Sequence, residues 1–117
     1  MKTHNISLGK FGEDYTAEFL EKNGYEILDR NYRNGYGEID IIAKKDEYIV
    51  FIEVKTRTSL DFGCPSEAVG YTKQKKIRNL ASFYLQGFPG LSARFDIAEV
   101  LINRKAPELN YIENAFI

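Results

Sequence analysis

Hydrophobic and polar side chains alternate along two neighbouring stretches of the chain, as they do on β-strands. In the first stretch, the apolar Ile39 and Ile41 alternate with the acidic Glu38 and Asp40. In the second stretch, one set of alternate positions holds Val50, Ile52 and Val54, and the other set holds Phe51, Glu53 and Lys55. Neighbouring side chains of a strand point to opposite faces. We therefore expect Glu38 and Asp40 on one face of the first strand, and Glu53 and Lys55 on one face of the second.

Only the polar tetrapeptide 44–47 separates the two stretches, so we expect them to pair as antiparallel strands. Side chains directly opposite in such a pair have Cβ atoms about 5 Å apart, which would let Asp40 and Glu53 share one small cation. Their apolar neighbours make an ionised carboxylate costly unless it is paired or metal-bound. A bound Mg²⁺ would leave Lys55 beside it, where an ammonium group can hold a phosphate or orient water. The pattern indicates phosphodiester hydrolysis, and the alternative is a half-exposed ion-pair ladder that stabilises little.

The remaining pattern predicts two helices and three further strands. Helical spacing of apolar residues predicts a helix over 7–23 that ends at Gly24, and a second helix over 72–86 with Thr72 as its N-cap. Strands are predicted over 25–33, 93–102 and 109–117, and the dipeptide at 34–35 indicates a hairpin turn. This order of elements predicts one α/β domain over 1–117, with a central mixed sheet of about five strands flanked by helices. Asp96 lies in the fourth strand, and we expect it to pair with a nearby arginine.

The densest basic stretch of the chain opens the second predicted helix, with Lys73, Lys75, Lys76 and Arg78 around Gln74. The positive end of a helix dipole disfavours cations, so a bound phosphate would relieve this arrangement. We therefore interpret the stretch as a nucleic-acid contact. The alternative is a solvated helix face, which lysines commonly fill.

Composition narrows the class of protein. The chain has 117 residues, 44% of them hydrophobic, which is ordinary for a folded domain and argues against disorder. Its net charge of −1 argues against a protein that coats nucleic acid nonspecifically, although a local basic patch remains compatible with it.

The single cysteine, Cys64, excludes an internal disulfide and a zinc site of several cysteines, and an irregular loop is predicted over 58–65. No apolar run approaches the roughly 20 residues that span a bilayer, and no signal-peptide core follows Met1, so we expect a cytoplasmic protein with no membrane partner.

The acidic and basic residues occur in an order that resembles a known superfamily. Glu13 in the first helix, Asp40 on one strand and Glu53-Val54-Lys55 on the next resemble the PD-(D/E)xK nucleases, which include archaeal Holliday junction resolvases. Within that superfamily, the segments 37–40 (Gly-Glu-Ile-Asp) and 52–57 (Ile-Glu-Val-Lys-Thr-Arg) resemble the YraN family of small bacterial proteins. The resemblance extends from residues 9–13 through 94–96 to 113–116. Ile39 stands where the name of the motif has a proline.

The resemblance implies a restriction endonuclease-like fold and a Mg²⁺- or Mn²⁺-dependent endodeoxyribonuclease. In that interpretation Asp40 and Glu53 bind the metal, Lys55 positions water, and Glu13 and Glu38 assist. Many members of the superfamily carry a glutamine or lysine that faces the metal site from the second helix, and Lys73 and Gln74 match it. We assign nucleic-acid binding to the following residues: Arg57, Lys73, Gln74 and Lys75.

Several alternatives remain open at the level of sequence. The expected substrate is DNA rather than RNA, with branched DNA as one candidate, and a homodimer is expected if the protein is a junction resolvase. A different class of function is a nucleic-acid-binding module that has the same fold but no catalysis and acts with a partner protein. A purely structural interaction role is the third class.

Overall fold

The computed structural model describes residues 3–58 and 69–116, with side chains from residue 8 onward within those ranges. Cys64 and all but Thr58 of the loop predicted over 58–65 lie outside the described residues. The elements, in chain order, are α1 (Thr3–Lys22), β1 (Glu26–Asn34), β2 (Gly37–Lys45), β3 (Tyr48–Thr58), α2 (Tyr71–Tyr84), a 3₁₀ turn (Leu85–Gly87), β4 (Ser92–Ile102) and β5 (Glu108–Phe116).

The five strands form one sheet in the order β1-β2-β3-β4-β5. The first three strands are an antiparallel meander, β3 and β4 are parallel, and β4 and β5 are antiparallel. The two helices pack on opposite faces, because Leu20 of α1 belongs to one buried cluster and Leu80 of α2 belongs to the other. The predicted α/β architecture, a mixed sheet of five strands flanked by helices, is confirmed. Within the described ranges, no helix combines the length and apolar character that crossing a membrane requires.

α1 packs on the sheet through small side chains as well as large ones. The helical pattern predicts Leu20 and Phe11 on the apolar face; Leu20 is buried, and so is Ala17, but Phe11 is 40% exposed. Gly12 explains the difference, because a Cβ atom placed there would lie 1.8 Å from Oγ1 of Thr56 on β3. The helix approaches the sheet most closely at this glycine and turns Phe11 outward. The helix ends where it was predicted to end, at Gly24, whose φ of 86° suits glycine.

α2 begins at Tyr71 with Gly70 at its N-cap, so the prediction of Thr72 as the N-cap is wrong. Thr72 instead lies within the first turn, and no side chain caps the helix. The amide group of Gln74 turns back and donates a hydrogen bond to the carbonyl of Val69 at 2.7 Å. The predicted inward face is confirmed, since Ile77 and Leu80 are both buried.

β2 loses its regular alternation at Asp40. A period of two predicts Ile39 and Ile41 on one face, but Ile39 packs in the cluster on the side of α2 and Ile41 in the cluster on the side of α1. The ladder between β2 and β3 ends at the pair Ile41 and Ile52, immediately beside Asp40. The sequence prediction was wrong here because a strand that leaves its ladder no longer keeps its side chains in register with the sheet.

Asp96 pairs with an arginine, as predicted, and it also secures the edge strand β5. Its carboxylate lies 2.7 Å from Nη2 of Arg94 and is fully buried. It accepts a hydrogen bond from the Tyr111 hydroxyl at 2.6 Å and another from the backbone N–H of Asn114 at 3.0 Å. The second contact fixes the irregular segment of β5 in which Asn114 has a φ of 53°. Asp96 is therefore a structural carboxylate.

Candidate functional site

Asp40 and Glu53 lie side by side where β2 and β3 separate. Each lies one position beyond the last ladder pair, Ile41 and Ile52, and their side chains are within hydrogen-bonding distance of each other. Beyond this point the two backbones no longer form ladder pairs, and Oδ2 of Asp40 accepts a hydrogen bond from the N–H of Val54 at 2.7 Å. Glu53 is 4% exposed, whereas Asp40 is partly buried. The structure thus brings together the two carboxylates that the sequence selected as metal ligands.

Burial determines the electrostatics of this carboxylate pair. Removal from water raises the pKa of Asp40 and of Glu53 above their ordinary values, and the neighbouring charge of Asp40 raises the pKa of Glu53 further. The ammonium groups of Lys73 and Lys55 act in the opposite direction on both carboxylates. Two acidic groups held together in this way need nearby positive charge, and lysines from β3 and α2 supply part of it.

Lys73 reaches the pair from the first turn of α2. Its ammonium group forms an ion pair with Oε2 of Glu53, although the lysine side chain remains 42% exposed. Gln74, the other residue that the superfamily resemblance selects on this helix, uses its amide group on the carbonyl of Val69. The basic start of α2 therefore has one residue that contacts the carboxylates and one that braces the start of the helix.

Glu13 approaches the pair from α1, on the other side of the sheet. Burial raises the pKa of Glu13, and the charge of Asp40 raises it further, while a hydrogen bond with Asn31 lowers it. Nη2 of Arg30 lies 3.7 Å from Glu13 and 2.7 Å from Asp14. The hydrogen bond from Arg30 lowers the pKa of Asp14. Glu13 is thus within electrostatic range of Asp40 but shares its surroundings with an arginine.

The arrangement fits a cation with few protein ligands. Within residues 3–58 and 69–116, no three acidic, histidine or cysteine side chains are placed to hold a metal ion together. Asp40 and Glu53 would therefore be its protein ligands. Mg²⁺ usually has one or two carboxylates, and water and phosphate oxygens complete its shell. Two adjacent carboxylates that are largely withdrawn from water have the chemistry that such an ion requires.

Three residues assigned from the sequence lie outside the carboxylate pair. Glu38 is exposed and forms an ion pair with Arg33 at 2.9 Å. Arg57 lies 2.8 Å from Glu99 on the neighbouring strand β4 and is half-buried. Lys75 is exposed on α2.

Sequence reasoning missed two features around the site. Asn31 has a φ of 53° in the middle of β1 and lies between the residues that pair with Ile39 and Ile41, so it faces Asp40. An asparagine inside a strand pattern tolerates this left-handed conformation and was the available signal. Tyr36 lines a groove together with Lys76, a member of the basic stretch that the sequence indicated as a nucleic-acid contact. The sequence signal of Tyr36, an aromatic residue near a hairpin turn, was too common to select it.

Comparison with known proteins gives relatives of the same length. The chain is 44% identical over 117 residues to a UPF0102 protein of Dictyoglomus turgidum, a match that covers 97% of this chain and 99% of the relative. It is 50% identical over 113 residues to a UPF0102 protein of Caldicellulosiruptor saccharolyticus, covering 93% and 96%. A UPF0102 protein of Clostridium perfringens is 48% identical over 120 residues, covering 99% and 98%.

Among solved structures, SfsA of Pyrococcus furiosus in complex with Ca²⁺ matches with 16% identity, covering 93% of this chain and 63% of that one. Its TM-score of 0.35 is too low to establish a common fold. The sequence gives a firmer result than this structural comparison. Residues 12–100 match the model of the uncharacterised protein family UPF0102, and this segment contains Glu13, Asp40, Glu53 and Lys55. The resemblance to the YraN family is confirmed in these terms, and the chain belongs to the uncharacterised protein family UPF0102.

Proposed function

We propose that this protein is a metal-dependent endonuclease-like hydrolase of nucleic-acid phosphodiesters, of the PD-(D/E)xK superfamily. One observation carries the proposal: Asp40 and Glu53 lie side by side just beyond the end of the β2–β3 ladder, and both carboxylates are largely withdrawn from water. Structural ion pairs rarely need two buried acids of like charge side by side, because each raises the cost of ionising the other. Such pairs are common where a divalent cation binds.

Mg²⁺ or Mn²⁺ is the proposed cofactor, held by Asp40 and Glu53. When bound, the ion would polarise a phosphoryl oxygen and activate water for attack on phosphorus. Lys55 is proposed to orient the attacking water or to stabilise charge that develops on the phosphate oxygens, and its electrostatic effect on both carboxylates supports this role. Glu13, on the far side of Asp40, and the exposed Glu38 are proposed to assist.

The substrate proposed is DNA rather than RNA, and the basic start of α2 is proposed to contact its phosphates through Lys73 and Lys75. Once a cation neutralises Glu53, Lys73 no longer has to do so and can pair with a phosphate. Arg57 and Gln74 stay assigned to nucleic-acid binding, although each has a contact with the protein itself. A homodimer and a cytoplasmic location also remain proposals.

A second candidate is a nucleic-acid-binding module without catalysis that acts with a partner protein. The ion pair between Lys73 and Glu53 favours it, since this carboxylate already has a counter-ion. The two candidates differ in what Asp40→Asn should do. Loss of the charge abolishes metal-dependent cleavage in the first candidate. In the second it leaves DNA affinity unchanged or raises it, because a negative charge is removed.

The deciding experiment measures cleavage and binding on the same purified proteins. Branched, single-stranded and duplex DNA are incubated with Mg²⁺ or Mn²⁺ and the wild-type chain, Asp40→Asn, or Glu21→Gln as a control carboxylate on the exposed side of α1. Cleavage by the wild type and by Glu21→Gln, but not by Asp40→Asn, supports the nuclease. Equal cleavage by all three proteins indicates a contaminating enzyme, and binding without cleavage supports the module.

A further inference from the structure

A groove runs between the β1–β2 turn and the first half of α2, and we call it the hairpin groove. It consists of two adjoining cavities of about 340 and 390 Å³ that share Gly37, Glu38 and Lys76 in their walls. The outer cavity includes Tyr36 at the tip of the hairpin. The inner cavity includes Lys73, whose ammonium group contacts Glu53. The hairpin groove therefore extends from the tip of the hairpin to Lys73, the ion-pair partner of Glu53.

The charge of the hairpin groove suits an anion. Its walls carry three cations, Arg33, Lys73 and Lys76, and one carboxylate, Glu38. Arg33 is paired with Glu38, and Lys73 with Glu53. Lys76 is exposed and has no hydrogen bond or ion pair with any other residue in the described ranges. Its ammonium group is therefore available to a ligand in the middle of the groove.

Tyr36 gives the outer end of the hairpin groove an aromatic surface. Its side chain is 51% exposed, and its ring centroid lies 6.3 Å from that of Phe83 on α2. The backbone N–H of Tyr36 donates a hydrogen bond to Oδ1 of Asn34 at 2.8 Å, which fixes the turn. Gly37 brings the hairpin close to α2, since a Cβ atom there would lie 3.7 Å from Cβ of Lys76. The ring is thus held near Lys76 but remains open to a ligand.

We propose that the hairpin groove binds a single strand of nucleic acid, with one base stacked on Tyr36 and the adjoining phosphate on Lys76. Single-strand sites combine a cationic groove with aromatic rings, because every base offers a face for stacking. A continuous duplex is a poor ligand for Tyr36, since its base faces are already covered by their neighbours. The inference rests on the proposed function and names its substrate class: nucleic acid with unpaired bases next to the bond that is cut.

Binding of a short labelled oligothymidylate, measured by fluorescence anisotropy in a chelator, tests the inference without any cleavage. An oligomer of the same length with abasic sugars keeps the phosphates and removes the rings. Tyr36→Ala is expected to weaken oligothymidylate binding by about five- to 150-fold, the range for loss of one stacked base, and to leave abasic binding nearly unchanged. Lys76→Gln is expected to weaken both oligomers and to lower the salt dependence of binding.

Tyr71→Ala is the matched control, because Tyr71 is 73% exposed on α2 and does not line the hairpin groove. Loss of affinity in Tyr36→Ala but not in Tyr71→Ala supports the inference. Unchanged affinity in Tyr36→Ala, or equal losses in both variants, overturns it. Circular dichroism checks that the variants are folded. If binding depends on Tyr36 but no DNA is cut, only the nuclease proposal fails, whereas cleavage without a Tyr36 effect removes only this inference.

Discussion

Asp40→Asn should separate the role of Asp40 in metal binding from its role in the fold. The asparagine keeps an oxygen that can accept the hydrogen bond from Val54, so the local backbone should be preserved. It removes one negative charge from a pair of carboxyl groups whose ionised form is already disfavoured by burial. Two unit charges about 5 Å apart repel by about 3 kcal/mol at an effective dielectric constant near 20. Lys73 and Lys55 offset part of this repulsion.

The metal-free variant is therefore expected to be as stable as the wild type or more stable by about 1 kcal/mol, because one of two repelling charges is removed. The response to Mg²⁺ should differ far more. At a metal concentration of about 100 times Kd, binding adds about 2.7 kcal/mol to the free energy of unfolding. For 117 residues the entropy of unfolding is about 0.25 kcal/mol/K, so the wild-type Tm should rise by about 11 °C.

Thermal unfolding followed by circular dichroism, with and without Mg²⁺, measures both effects. Asp40→Asn should show a Tm increase with Mg²⁺ of less than about 2 °C at the same concentration. An increase equal to that of the wild type would show that the ion binds elsewhere and would refute the assignment. A metal-free variant less stable by several kcal/mol would show instead that Asp40 is needed mainly for the fold.

Three further predictions follow from named contacts. Lys73→Gln should lower the free energy of unfolding of the metal-free protein by about 1–2 kcal/mol, a modest loss because Lys73 is partly exposed. The same variant should bind Mg²⁺ more tightly in calorimetry, since no ammonium group competes for Glu53. Weaker Mg²⁺ binding would contradict that competition. Gly12→Ala should cost about 1–3 kcal/mol in urea unfolding, because the added methyl group overlaps the side chain of Thr56, whereas Gly9→Ala, with open space around it, should not destabilise α1. Burial raises the pKa of Asp40 and of Glu53, so the folded state binds their protons more tightly than the unfolded state does. The metal-free free energy of unfolding should therefore fall as the pH rises from about 4 through the raised pKa values of the two carboxyl groups. Urea unfolding measured across pH should show a smaller fall in the free energy of unfolding for Asp40→Asn than for the wild type. The same dependence on pH in both proteins would argue against the raised pKa values.

Much of the fold could be predicted from hydrophobic periodicity, because each face of the sheet is covered by one helix and the apolar residues recur accordingly. The hairpin was predicted at 34–35, but its two loop residues are Gly35 and Tyr36, and neither Asn34 nor Gly35 has a positive φ. The stop at Gly24 followed from local backbone chemistry, which a sequence carries directly. The N-cap of α2 did not, since the threonine expected to cap the helix lies inside it and Gly70 occupies the cap. Side-chain capping is a preference, and glycine is also an accepted N-cap residue.

The carboxylate pair could be predicted from the strand pattern, but its surroundings could not. Antiparallel pairing fixes which residues are opposite, so Asp40 and Glu53 followed from register. The switch of face between Ile39 and Ile41 depends on where a ladder ends, and that depends on contacts across the sheet. Long-range ion pairs such as that of Arg57 with Glu99 likewise arise only when distant segments meet.

The hydrogen bond from the backbone N–H of Val54 to Asp40 makes the two carboxylates of the site differ in mobility. One oxygen of Asp40 is tied to the main chain, so the carboxyl plane is oriented before anything binds and its second oxygen needs no rotamer search. Glu53 has no such tie to the backbone in the described ranges and is held by the long, flexible side chain of Lys73. The chain therefore pairs one rigid acid with one adjustable acid, and adaptation to ions of different radius should occur at Glu53.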